Sequence, residues 1–329
     1  MIAVVGAAGT IGRNVAGFLD GWGAPLVRRD ARLEGEERVD ASDASAVADV
    51  LDACTVCINC ADYRLNLAVM RGALEAGAHY VDLGGLYHVT KQQLELDGEF
   101  RERGLGALLG MGSAPGKTNL LAAAAVDRLG EDPESLEIWA ATRDPEAANH
   151  PFPAPYSVRT LLDELQMRPV VVEDGLVTEV APLSGEETRE LPEPVGAASG
   201  IYTLHSELAT LPEAFPSLQE ASFRLCLSPG LLEKLLGLKE GEEPEPYEQS
   251  PASVAVHLVD ARSGDGGVVG WTLTRGGSAR STSEPAARAA IELLEGRMSF
   301  AGVRPPEAAI PDPESFLALL DTEVYWDVA

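Results

Sequence analysis

Two sets of closely spaced residues near the start of the chain could do chemistry. Gly6, Gly9 and Gly12 stand three apart in "VVGAAGTIGRNV", directly after a short β-branched run. Small residues at a strand-to-helix turn suit a dinucleotide: the first permits a tight turn, the second lets backbone approach a pyrophosphate, and the third lets the helix pack on the strand. Thr10, Ile11 and Gly12 then open the helix, whose N-terminal N–H groups and dipole favour an anion. The second set is "CTVCINC", where Cys54, Cys57 and Cys60 fall at i, i+3 and i+6. That spacing could hold a metal ion or an iron–sulfur cluster.

The elements that carry these residues decide between the possibilities. "IAVV", "PLVRR", "ERVDAS", "TVCIN", "HYVDL" and "ALLGMG" read as strands, separated by helical stretches such as "DASAVADVLDA", "LNLAVMRGALEAGA" and "KQQLELDGEFRERG". Short apolar strands alternating with helices predict a Rossmann-type, doubly wound parallel sheet. Along a strand, side chains alternate faces, so Cys54 and Cys57 point to opposite sides. Cys54 and Cys60 share a face but lie about 20 Å apart at ~3.3 Å per residue. No single metal collects all three; they are apolar fillers, and no metal site is expected. Ligands bind at the carboxyl ends of such strands. That puts Asn59, Cys60 and Ala61 beside a cofactor, with Asn59 either a contact to ribose or nicotinamide or a plain turn residue.

Arg28 and Arg29 end the second strand, and paired guanidinium groups suit a 2′-phosphate. NADP is therefore expected ahead of NAD. Asp30 follows at once and takes the ribose hydroxyl if the strand ends one residue later. Asp40, in the strand "ERVDAS", is a further candidate cofactor contact.

Totals exclude other classes. Lys+Arg number 25 against 52 Asp+Glu, a formal net charge of −27 over 329 residues, which would repel nucleic acid and anionic membranes. Met1 runs straight into an apolar strand, and no apolar run is long enough to span a bilayer. A cytoplasmic protein with reduced thiols is expected. "KEGEEPEPYEQSP" (Lys239 to Pro251) reads as an exposed acidic loop.

"AGAHYVDLGG", "GALLGMGSAPGKTNLLA" and the closing "STSEPAARAAIELLEGRMSFAGVRPPEAAIPDPESFLALL" resemble the saccharopine dehydrogenase-like family of saccharopine reductases, lysine 6-dehydrogenases and carboxynorspermidine dehydrogenases. The resemblance implies a Rossmann domain of residues 1–118 plus 285–329. It also implies a second α/β domain of residues 119–284 that carries substrate and a homodimer interface. The residues agree in outline: "SLEIWAATR", "PVVVEDGLVTEVAPL", "SFRLCLS", "SVAVHLVDA" and "GVVGWTLTR" read as strands of a largely antiparallel sheet. "SVRTLLDEL", "GLLEKLLGL" and "PAARAAIELLEG" read as helices, the last starting near Pro285.

The family's reaction, as the resemblance implies it, moves hydride between NADP(H) or NAD(H) and a carbon–nitrogen bond, with an amine or amino acid as partner. Such chemistry needs a proton handler and anchors for carboxylate and ammonium. Asp82, ending "HYVD" ahead of Gly84 and Gly85, is expected near the nicotinamide or as a turn-capping carboxylate. Lys117 departs from the family's apolar residue; it either binds a substrate carboxylate or cofactor phosphate, or stands solvated. Asn119 caps the helix or lines the cleft. In the second domain Tyr156 and Arg159 open a helix, Arg159 able to grip a carboxylate. Tyr202, His205 and Glu207 share "IYTLHSEL", with His205 the candidate proton handler. Two rivals stay open: a nucleotide-binding sensor without turnover, and a dehydrogenase of carbon–oxygen bonds, since fold does not choose chemistry.

Overall fold

The structure is a computed structural model describing residues 1–239, 242, 244 and 247–328. The acidic stretch Lys239 to Pro251 lies in part outside the described residues. The chain divides into two compact units, Met1–Asn119 with Thr282–Asp312, and Leu120–Ser281 with the stretch from Pro313 onward. Residues 313–328, expected with the first unit, run in the second.

The first unit alternates β1 (Ile2–Val5), α1 (Thr10–Gly21), β2 (Leu26–Arg29), α2 (Ala44–Val50), β3 (Val56–Asn59), α3 (Asn66–Ala76), β4 (His79–Asp82), α4 (Tyr87–Leu94), α5 (Asp97–Glu102) and β5 (Gly106–Leu108). α6 (Lys117–Leu129) follows. β1, β3 and β5 are buried along their whole length, as central strands of a sheet covered on both faces require, while β2 is half-buried. α1 turns Val15, Ala16 and Leu19 inward, one face at helical spacing. Asp43 caps α2 by accepting from the N–H groups of Ser45 and Ala46, and Gly77 ends α3 in the left-handed region at φ +76°. "ERVDAS" is not a strand: only Arg38 bridges, to Asp30. Cys57 lies in the core of β3, burial pushes its thiol up, and all four cysteines are free.

In the second unit come β6 (Ser135–Arg143), α7 (Val158–Gln166), β7 (Val170–Glu173), β8 (Leu176–Glu179), β9 (Glu187–Leu191), β10 (Gly196–Tyr202), α8 (Glu207–Ala214), β11 (Glu220–Cys226), α9 (Pro229–Leu236), β12 (Val254–Ser263) and β13 (Gly266–Arg275). α10 (Gly277–Leu294) carries the chain back to the first unit, which holds β14 (Gly302–Arg304) and α11 (Pro306–Ala309), and α12 (Pro313–Leu317) and β15 (Glu323–Val328) belong to the second.

The first sheet is parallel, in the order β14-β5-β4-β3-β1-β2. Its order reverses direction at β1, so the crevice between β1 and β3 is the topological switch point. The second sheet runs β15-β13-β12-β6-β11-β10-β9, antiparallel except for β6 and β11, with the β7–β8 hairpin joined to β11. It curls strongly. In a flat sheet β9 would stand about 19 Å from β12, four spacings of ~4.8 Å. Arg189 of β9 nevertheless reaches Glu137 of β6 at 2.9 Å and Asp260 of β12 at 2.6 Å.

Candidate functional site

The glycine turn sits at the switch point. Gly6 adopts φ +80°, and a Cβ there would lie 2.6 Å from the Ala61 nitrogen and the Cys60 carbonyl carbon. A Cβ on Gly12 would lie 2.1 Å from the Gly6 oxygen, so only glycine lets α1 pack this closely. Gly9 is the N-cap of α1, donating its N–H to the Gly6 carbonyl at 3.0 Å. No side chain caps the helix and no acidic residue stands in its first turn, which holds Thr10, Ile11 and Gly12. This end is arranged for an anion rather than for its own carboxylate. A dinucleotide pyrophosphate fits it.

Around the turn, the expected contacts divide. Arg28 pairs with Asp20 of α1, while Arg29 donates to the Val50 carbonyl at 3.1 Å and to the Arg28 carbonyl at 3.0 Å. Both guanidinium groups are engaged away from the glycines. Asp30 and Arg32 take their place beside the turn: the Asp30 carboxylate accepts the Ala8 N–H at 3.0 Å and pairs with Arg32 through two parallel bonds. Burial alone would raise the Asp30 carboxyl, but the Arg32 guanidinium and the N–H groups of Arg32 and Ala8 hold it below the usual range. Asp40 is an exposed turn residue whose carboxylate accepts from the Ser42 hydroxyl and N–H.

At the ends of β3 and β4 a buried polar network forms. Asn59 donates to the Asn66 side chain at 2.9 Å and to the Tyr80 hydroxyl at 3.2 Å, and its oxygen accepts the Ala61 N–H at 3.1 Å. Asp82 is fully buried and accepts from the N–H groups of Gly84 and Gly110, the Gln93 amide and the Tyr80 hydroxyl. Burial pushes its carboxyl up, against the pull of these four donors. Asp82 thus ties the ends of β4 and β5 to the Gly84 turn. Cys60 is held as a thiol, its acidity suppressed first by burial and then by the Asp82 charge.

Lys117 opens α6 and is 1 % exposed, which overturns its reading as a solvated residue. Burial brings its pKa down to about 7, with the Glu284 carboxylate opposing. Asn119 accepts the Gly116 N–H at 3.0 Å and donates to Glu307 at 2.9 Å, so it braces the turn.

In the second unit Tyr156, His205 and Glu207 come together, joined by a residue the sequence reading missed. The Tyr156 hydroxyl donates to Glu164, whose other oxygen stands 3.6 Å from His205 Nε2. His205 Nδ1 lies 3.3 Å from Glu207, and its ring stacks on Phe223 at 3.8 Å. Burial disfavours a charged ring here, but Glu164 and Glu207 override it and hold the His205 pKa at about 10. Glu164 was legible in principle: with Leu161 and Leu165 it lies on the buried stripe of α7, where an acid needs a partner. Arg159 is exposed on the same helix. Tyr202 belongs elsewhere: its hydroxyl accepts from Arg224 at 3.1 Å and its ring lies under that guanidinium.

Strand order, switch-point glycines and an uncapped α1 define the first unit as a dinucleotide-binding Rossmann domain. Residues 32–108 match the family model described as saccharopine dehydrogenase NADP binding domain. A carboxyaminopropylagmatine dehydrogenase from Synechocystis sp. is 25 % identical, the similarity covering 78 % of this chain and 74 % of that one. Among solved structures, the apo saccharopine dehydrogenase (L-Glu forming) of Saccharomyces cerevisiae shares the fold at a TM-score of 0.69. It is 14 % identical, over 100 % of this chain and 99 % of that one. The resemblance read from the sequence is borne out: the chain is saccharopine dehydrogenase-like in fold, and its matched domain is of the NADP-binding kind.

Proposed function

We propose that this chain is an NADP-dependent oxidoreductase that moves hydride to or from a carbon–nitrogen bond of an amino acid or a polyamine-related amine. One observation carries the reading: an uncapped α1 opens from switch-point glycines, and the segment that follows, residues 32–108, matches an NADP-binding model. Gly6, Gly9 and the first turn of α1 would hold the pyrophosphate, and the nicotinamide would supply or accept the hydride. The relatives named for saccharopine and carboxyaminopropylagmatine support an amine-containing substrate.

A second reading is a nucleotide-binding sensor without turnover. It is favoured by the state of two expected proton handlers, for Asp82 is saturated with donors and His205 is held as a cation. The homodimer and the cytoplasmic setting belong to the proposal; among the described residues no helix is long and apolar enough to cross a membrane. NADPH oxidation with a panel of amines paired with keto acids or aldehydes tests the enzyme reading. Turnover with an amine–carbonyl pair is expected. Binding of NADPH with no turnover across the panel would favour the sensor.

A further inference from the structure

We infer that Arg32, oriented by the buried Asp30, is the residue that recognises the 2′-phosphate of NADP, and that Asp30 serves this recognition instead of selecting NAD. The inference rests on the nucleotide-binding reading above and deepens it.

An acid at the end of the second strand of a Rossmann sheet ordinarily takes the ribose 2′-hydroxyl and repels a 2′-phosphate. Asp30 stands at that place, one residue past β2, and is 6 % exposed. Its lone pairs are already spoken for. Oδ1 accepts the Arg32 N–H at 2.9 Å and Nε at 3.1 Å; Oδ2 accepts the Ala8 N–H at 3.0 Å and Arg32 Nη2 at 3.2 Å. A carboxylate offers about four lone-pair sites, so four donors fill it. A ribose hydroxyl could reach Asp30 only by displacing Arg32.

Arg32 is the outward half of the pair, its side chain 64 % exposed. A guanidinium has five N–H donors, and two are given to Asp30. Of the other three, two, one on Nη1 and one on Nη2, form the outer edge. That edge adjoins the turn, for Nη2 comes within 3.6 Å of where a Cβ on Gly9 would sit. A phosphate on the ribose next to the pyrophosphate site can therefore be met by a planar fork that is already held in position. Fixing the side chain through Asp30 removes rotamer entropy before the ligand arrives, which strengthens binding. Of the β2 arginines, Arg28 pairs with Asp20 and Arg29 donates to the Val50 carbonyl, and neither is held by Asp30.

The sign of one substitution separates this from the ordinary rule. If Asp30 selected NAD, Asp30→Asn would tighten NADPH. If Asp30 anchors Arg32, Asp30→Asn weakens it. The test titrates wild type, Arg32→Ala, Arg32→Lys and Asp30→Asn with NADPH, NADH, 2′,5′-ADP and 5′-AMP, following binding by calorimetry and unliganded folding by thermal midpoint. Arg32→Ala should bind NADPH and 2′,5′-ADP about 30-fold more weakly, the loss of a bidentate phosphate pair. It should bind NADH and 5′-AMP as well as or better than wild type, because Asp30 is released. Arg32→Lys should fall between, having charge without the fork, and Asp30→Asn should lose part of the NADPH affinity. An NADPH affinity unchanged in Arg32→Ala, or tightened in Asp30→Asn, overturns the inference and leaves nucleotide binding standing. A wild type that binds neither NADPH nor NADH overturns the function reading, and this inference with it.

Discussion

His205 shows how environment reassigns a side chain. An isolated histidine with an ordinary pKa near 6.5 is a ready proton handler, and that is how the sequence presents it. Between Glu164 and Glu207, stacked on Phe223, it is instead a buried cation balancing two buried anions. Removing one partner of such a group leaves uncompensated charge, which typically costs about 3–5 kcal/mol. His205→Ala is therefore expected to lower the unfolding free energy by about that amount in urea titrations. A His205→Ala protein as stable as the wild type but unable to turn over would return His205 to the proton-transfer role. Asp82 is the corresponding case in the first unit, its four donors making it a brace.

Elements were legible where composition and period agreed. "IAVVG" is a strand running into a glycine turn, and β6, β12 and β13 are long stretches rich in buried apolar residues. The misses have physical reasons. β9 (ETREL) and β10 (GAASGIY) lack the β-branched density of a strand because they belong to the curled end of the sheet, where arginines cover much of the face. α10 was expected to begin at Pro285 but starts at Gly277, with the proline tolerated inside it. "ERVDAS" had the alternation of a strand yet forms one bridge. Site residues were lost for a related reason: Arg32 sits beyond the strand end, where neither period nor motif points to it. Glu164 hid in an amphipathic pattern. The glycine turn, by contrast, was fully visible, and its packing makes a sharp prediction. Gly12→Ala places a methyl 2.1 Å from the Gly6 oxygen, a backbone atom that moves only with the turn. We expect a loss of roughly 2 kcal/mol or more in stability, together with weakened NADPH binding. Unchanged affinity and melting would show that α1 can lift off the strand at little cost.

At the scale of the molecule, two buried basic side chains, His205 and Lys117, impose opposite pH dependences, one in each unit. The folded pKa of His205 is raised to about 10, above its ordinary 6.5. Its contribution is complete below pH ~6.5 and is lost as pH rises toward about 10, because the folded state keeps a proton that the unfolded chain gives up. Lys117 is the reverse. Its folded pKa is lowered from 10.5 to about 7, so the unfolded chain holds the extra proton. Its burial penalty is full below pH ~7 and is relieved as pH climbs toward 10.5. Across roughly pH 7–10 the two slopes oppose each other, and stability should change little with pH. Lys117→Met removes one slope while filling the same space. The variant should be more stable than wild type at pH 6, and between pH 7 and 10 its stability should fall as His205 alone gives up its advantage. Calorimetric scans of both proteins at pH 6, 8 and 9.5 measure this directly. A Lys117→Met protein that is less stable at pH 6 would mean that the interactions of the ammonium, the Glu284 charge among them, outweigh its burial penalty.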